Sequence, residues 1–223
     1  MVSSGMPRVR PQVVVLSVAA SSAAALLCAG SASANIYSGT GGFLPDAPSD
    51  GVFGVATFQI NVTDLGSVAS FNGLTVNGFT HAFLGDLGAT LTAPDGTVVT
   101  IFDRISKTSP DSGFGDSSNF LGSYTFANGG GNIWSAAAAV PGSSNVPQGT
   151  YFASAALTGA PIDLQAFLAG RDVHGLWTLT ITDFSVGDAG SISGWSLDMT
   201  VVPAPSAMGL VAAAGLVGRR RRR

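Results

Sequence analysis

Strict two-residue alternation governs the body of this chain. Trp177, Leu179 and Ile181 alternate with Thr178, Thr180 and Thr182. Successive side chains of an extended backbone point to opposite faces, so such a stretch has one apolar face and one hydroxyl-bearing face. Aromatic, β-branched and threonine side chains are also those that fit a pleated, half-buried surface. Ala56, Phe58, Ile60 and Val62 alternate in the same way with Thr57, Gln59, Asn61 and Thr63, and Trp195, Leu197 and Met199 with Ser196, Asp198 and Thr200. Leu87, Ala89 and Leu91 run into the turn triplet Pro94-Asp95-Gly96, and 98–102 returns, which predicts a β-hairpin. No stretch sustains a helical period, and a short helix is expected only within 162–168. Strands with one apolar face, joined by turns, bury that face against another sheet. The expected fold is therefore all-β, an antiparallel β-sandwich or jelly roll.

The two ends obey different rules. Arg8 and Arg10 precede an apolar run over 13–30, and Ala32-Ser33-Ala34 follows as a small-residue cleavage site. This is the layout of a secretory signal peptide, residues 1–34, exported through the Sec machinery and cut before Asn35 at Ala32 and Ala34. At the other end Val202-Pro203-Ala204-Pro205 leads into an apolar stretch over 206–218 and then five arginines from Arg219 and Arg220 onward. Pro203 and Pro205 have no N–H to donate and push the residues before them toward extended conformations, so they end a preceding strand. Thirteen apolar residues reach about 20 Å as a helix, short of the ~30 Å hydrocarbon core. The arginines would stay on the cytoplasmic side. This tail, residues 202–223, resembles the PEP-CTERM sorting signal of bacterial envelope and matrix proteins, with Ala204 where that pattern has glutamate. The resemblance implies transient anchoring through a hydrophobic helix and recognition by an exosortase-type processing enzyme.

Without both tails, Arg104, Lys107 and Arg171 face thirteen acids, every one of them aspartate, so residues 35–201 carry a formal charge of about −10. A body this acidic repels nucleic acid and anionic membrane surfaces. The single cysteine, Cys28, falls inside the signal peptide, leaving no disulfide and no thiolate for the mature protein. The remaining length suits one domain with a real core.

Two regions carry a second resemblance. Thr80-His81-Ala82-Phe83-Leu84-Gly85-Asp86-Leu87 and Leu91-Thr92-Ala93-Pro94-Asp95-Gly96-Thr97 form the first; Gly175-Leu176-Trp177-Thr178-Leu179-Thr180-Ile181-Thr182-Asp183 and Asp188-Ala189-Gly190-Ser191-Ile192-Ser193-Gly194-Trp195-Ser196-Leu197 form the second. In order and spacing they resemble the signatures of the P domain (Homo B). Ala82 and Phe83 depart from the pattern, and the Gly/Ser/Asn-rich stretch 106–160 has no matching motif. The resemblance implies a galactose-binding-like jelly roll. In subtilisin-like proprotein convertases that domain follows and stabilises the catalytic domain.

The residues themselves argue against peptidase chemistry. A Ser-His-Asp triad needs a histidine in reach of a nucleophile, and only His81 and His174 exist. Gly190-Ser191-Ile192-Ser193-Gly194 has isoleucine where a nucleophile elbow needs serine. Gly129-Gly130-Gly131 reads as a flexible loop, since no lysine or helix start follows to make it a phosphate cradle. Asp86, Asp183 and Asp188 sit at strand ends and in the loop between them. They either contribute oxygens to a calcium ion or accept backbone N–H groups in tight turns. Trp134 and Tyr124, in the unmatched middle, are the aromatic candidates for stacking on a sugar.

Three functions compete on this reading. The first is an exported, non-catalytic β-module at the cell envelope or in the exopolysaccharide matrix, structural or adhesive. The second is a carbohydrate-binding module for an envelope polysaccharide. The third, implied only by the family resemblance, is an accessory domain for subtilisin-like proteolysis, partnered by another exported protein.

Overall fold

The computed structural model describes residues 31–111 and 113–204. The strands are β1 (Ser33–Leu44), β2 (Gly54–Val62), β3 (Gly66–His81), β4 (Leu87–Thr92), β5 (Val98–Asp103), β6 (Phe120–Gly131), β7 (Gly149–Tyr151), β8 (Ala153–Ser154), β9 (Pro161–Ile162), β10 (Gly175–Asp183) and β11 (Gly190–Pro203). Two short helices, α1 (Ile133–Ala138) and α2 (Leu164–Leu168), and a 3-10 turn at Leu84–Asp86 complete the described elements. One sheet has the order β1-β11-β3-β6-β7, a second β2-β10-β4-β5, and β8 pairs with β9. All neighbours are antiparallel except β6 and β7. This mostly-β arrangement is consistent with a β-sandwich.

The alternation read along the chain sets which face is buried. On β10 Trp177, Leu179 and Ile181 are buried while Thr178, Thr180 and Thr182 look outward. Register then lines up the hydroxyls: Thr180 stands opposite Thr57 on one side and Thr90 on the other, and Thr90 opposite Thr100. The hairpin β4–β5 forms as its turn triplet predicts.

The inner faces of the two large sheets share one apolar core. Phe102 of β5 lies 5.4 Å from Phe126 and 5.5 Å from Phe120, both on β6, tying one sheet to the other. Phe79 of β3 stacks on Phe120 at 4.3 Å. Full burial of side chains this large contributes roughly 1.5–3 kcal/mol each, so this aromatic cluster is a main source of stability in a body with no disulfide.

Several features depart from the sequence reading. The unmatched stretch 106–160 supplies β6, a strand internal to the five-stranded sheet, and with it Phe120, Tyr124 and Phe126 of the core. Gly129, Gly130 and Gly131 are not a loose loop but the end of β6. A Cβ on Gly130 would lie 2.4 Å from the Tyr151 backbone, so glycine is what lets β7 approach. The helix expected within 162–168, by contrast, does form, as α2, begun by the Asp163 carboxylate accepting from the Ala166 N–H at 3.0 Å. Asn132 starts α1 the same way, accepting from Trp134 and Ser135.

The expected processing points fall at the strand termini. Ala32 and Ala34 are exposed, but β1 already begins at Ser33, and Ser33 and Ala34 pair with Val201 and Thr200. At the other end β11 continues through Val202 and Pro203, opposite Ser67 and Gly66, and the Ala204 N–H donates to Leu65. Val202 and Pro203 thus close β11, and Ala204 lies just past its end. The remaining expectations for the ends, on residues 1–30, Pro205, the apolar segment and Arg219 and Arg220, lie outside the described residues. No helix among the described residues is long and apolar enough to cross a membrane.

Candidate functional site

One rim gathers the chemistry. Asp183 ends β10 opposite Leu87 at the start of β4, and Gly88 stands opposite Asp103 at the end of β5, so these termini are level with one another. His81 ends β3 and joins them from the other sheet. The loop from β10 to β11 brings Phe184 and Ser185, and the 3-10 turn brings Asp86, whose carbonyl accepts from the Phe184 N–H at 2.9 Å.

At its base His81 Nε2 lies 3.1 Å from Asp183 Oδ2, and Asp183 is only 2 % exposed. The second oxygen of Asp183 accepts the Ser185 N–H at 3.1 Å. Burial pushes the Asp183 carboxyl above the usual range; the Ser185 N–H and His81 pull against it, and the charge of Asp46 adds to the rise. His81 is sealed as well, and its Nδ1 has no hydrogen-bond partner among the described residues. This pair joins β3 to β10 across the two sheets. It ties the two layers together and is buried from solvent, and His174 stands exposed before the opposite end of β10.

Asp86 is the more accessible carboxyl. Its pKa is pushed up to about 6, first by burial and then by the charge of Asp183, with Asp188 adding to the rise; the Ser185 side chain and His81 partly offset it. Asp86, Asp183 and Asp188 are thus electrostatic neighbours, as their strand-end positions suggested. Of the two readings left open for them, an ion site or acceptors in tight turns, Asp183 displays the second, with Oδ1 accepting the Ser185 N–H. No three His, Cys, Asp or Glu side chains among the described residues converge to hold a metal ion, and both oxygens of Asp183 are already taken by protein partners. Calcium would need six to eight oxygens.

Of the two aromatic stacking candidates, Tyr124 is placed in the core. Tyr124 is wholly buried; its hydroxyl donates to the Val146 carbonyl at 2.8 Å and accepts from the Leu121 N–H at 3.1 Å. A core side chain on β6 cannot stack on a sugar. Trp134, on α1, is half-buried, its ring so close to Gly159 that a Cβ there would meet Cδ2 at 2.6 Å.

The sequence reading missed the cleft on this rim. Asp86, Arg104, Lys107, Phe114, Phe184 and Ser185 line a polar hollow of about 140 Å³. Arg104 pairs with Asp103 through Nε at 3.2 Å and lays its guanidinium over the Phe184 ring, 4.7 Å from the centroid. Lys107 Nζ donates to the Gly113 carbonyl at 2.6 Å. The only signal in the sequence was that two of the three cations outside the tails fall four positions or fewer apart, just after a strand.

Fold and rim together define a mostly antiparallel β protein with a buried His–Asp pair and, beside it, a small polar cleft. No protein-family model matches the chain, and a search of curated proteins finds no match.

Proposed function

We propose that this chain is an exported, non-catalytic β-sandwich module of jelly-roll type, displayed at a bacterial cell envelope or in an exopolysaccharide matrix, where it serves structure or adhesion. The observation that carries the reading is the burial of His81 with Asp183. The one histidine with a carboxylate partner at the rim is spent on joining two layers of the fold, which fits a module that holds rather than transforms. The four P-domain-like segments support the jelly-roll assignment. They fall on the end of β3 with the 3-10 turn, on β4 and its turn, on β10, and on β11 with its preceding loop, and several of their signature residues (His81, Trp177, Asp183 and Trp195) are buried. The signal-peptide layout and the PEP-CTERM-like tail support export and surface display.

The test is a comparison of the full chain with one ending at Ala204. That truncation keeps all of β11 and removes Pro205 together with the apolar stretch and the arginines. The full chain is expected in the envelope or matrix fraction and the truncated chain in a different one. Identical fractionation of the two would defeat the proposal.

A further inference from the structure

We infer that the cleft beside Asp86 binds one carboxylate-bearing sugar residue, a uronate unit of an acidic polysaccharide, with its carboxylate on Arg104 and Lys107. The inference goes beyond the export reading and stands on the cleft alone.

Charge comes first. Outside the tails the chain has three cations against thirteen aspartates, and two of those three line one hollow. An anionic group entering this hollow meets two cations, with Asp86 and the Asp103 partner of Arg104 beside them. Arg104 is pre-oriented by its ion pair and by the Phe184 ring, and a planar guanidinium fork matches a carboxylate.

The remaining lining suits the rest of a sugar. Asp86 accepts hydroxyl protons, and the Ser185 hydroxyl both donates and accepts. Phe114 is 78 % exposed, with its ring edge-on to Phe83 at 6.3 Å and 82°. It offers an apolar platform for the C–H face of a pyranose. The volume of about 140 Å³ suits a single ring, with the polymer leaving through the mouth. A bare inorganic anion would use the cations but leave Phe114 uncovered and meet the Asp86 charge.

Of the five non-glycine residues with positive φ among the described residues, three lie in or next to this cleft and two lie elsewhere. Phe83 (φ 58°), Arg104 (φ 37°) and Ser106 (φ 66°) all hold left-handed backbone conformations without being glycine. A residue with a Cβ is uncommon there, and such conformations gather where structure is held for a ligand.

The cleft also carries a pH signature. Asp86 faces Asp183, Asp188 and His81 beneath it, with Asp46 near Asp183, and shares the cleft with Arg104, Lys107 and, through Arg104, Asp103. As pH falls through about 6, Asp86 takes up a proton, while the uronate stays ionised. The cleft loses a negative charge, and binding tightens.

Calorimetric titration of the full-length chain with trigalacturonate, with the neutral galactose trimer and with inorganic phosphate tests this. Trigalacturonate is expected to bind about threefold more tightly at pH 5 than at pH 7.5, with no measurable binding of the neutral trimer and no displacement by equimolar phosphate. Lys107→Gln and Arg104→Gln should each weaken binding about tenfold. Asp86→Asn should bind at pH 7.5 as the unaltered chain does at pH 5. Melting temperatures run alongside show whether each variant is folded, and Lys107→Gln carries the test if Arg104→Gln is not. Absence of trigalacturonate binding, equal binding of the neutral trimer, displacement by phosphate, or indifference to Lys107→Gln would each overturn the inference. None of these outcomes bears on where the chain is exported, which fractionation decides separately.

Discussion

Replacing Asp86 by asparagine should make this protein more stable at neutral pH. The folded state raises the carboxyl from 3.8 to about 6 through burial and the neighbouring Asp183 charge. A group whose proton affinity is higher in the folded state contributes its full stability below the unfolded value, and loses that contribution as pH rises through the folded one. Here the window runs from about pH 4 to above pH 6, so at pH 7.5 the ionised Asp86 is a net cost. Sealed from water, the difference would correspond to roughly 3 kcal/mol. Asp86 is only half-buried, and solvent screens its neighbours, so the expected share is about 1–1.5 kcal/mol. For a domain of this size that is a rise of about 3–5 °C in melting temperature. Asparagine keeps an oxygen for Ser185 and removes the charge. The assay is thermal unfolding of both proteins at pH 7.5, 6 and 4.5, followed by fluorescence of the buried Trp177 and Trp195. Taking the difference between the proteins at each pH cancels the titrating groups that do not interact with Asp86. The carboxyls held low, Asp95 and Asp163, lose their contribution only as pH falls below the ordinary carboxylate range, outside the window. The gain should shrink steadily from pH 7.5 to 4.5, to roughly a third of its full size, and vanish only below about pH 4. An asparagine variant equal to or less stable than the unaltered chain at pH 7.5 would refute the reasoning.

Two further outcomes probe the body of the fold. Phe79→Ala empties a fully buried site stacked on Phe120 and should cost about 3–5 kcal/mol in urea unfolding, with Phe79→Leu costing less than about half of that. Gly54→Ala would place a Cβ 1.9 Å from the Pro45 carbonyl oxygen, whereas Gly131→Ala meets nothing nearer than 3.7 Å; the first should sharply reduce soluble folded protein, and the second should leave yield and melting temperature nearly unchanged.

The strand ends explain why a carboxyl at this rim is so sensitive. Three chain segments deliver Asp46, Asp86, and Asp183 with Asp188 to one region, and His81 and Ser185 share out the hydrogen bonds there. Gly187 is held by Asp46, its N–H 3.0 Å from each carboxylate oxygen. The loop from β10 to β11 is therefore tied on one side by Asp46 and on the other by Asp183. Phe184 is clasped between the Phe53 ring at 4.8 Å and the Arg104 guanidinium. This clasp fixes one wall of the cleft, which fits a preformed site rather than one made on binding.

Much of the β architecture was legible before any coordinates. β2, β10 and β11 announce themselves because alternation is written in neighbouring residues, and the β4–β5 hairpin because its turn demands proline, aspartate and glycine. The chain by itself also fixed the acidity of the body and the lack of a thiol there. Other elements carry no such local mark. α1 spans only six residues, too few for a helical period to show. β1 is interrupted by glycines whose reason lies elsewhere: a Cβ on Gly39 would strike Trp195 and Ile60, and one on Gly41 the Ile192 carbonyl. β6 hides among glycine, serine and asparagine, yet its aromatic residues complete the core.

The rim divides along the same line. That Asp86 and Asp183 sit at strand ends could be read directly from the chain. That His81 lies against Asp183, 102 positions away, that Tyr124 faces the core, and that Arg104, Lys107 and Phe114 share a hollow with Asp86 could not. Side-chain direction along one strand follows from a two-residue period. Which strand ends meet depends on sheet order, register and the closing of one sheet on another, and those are set by the whole core at once.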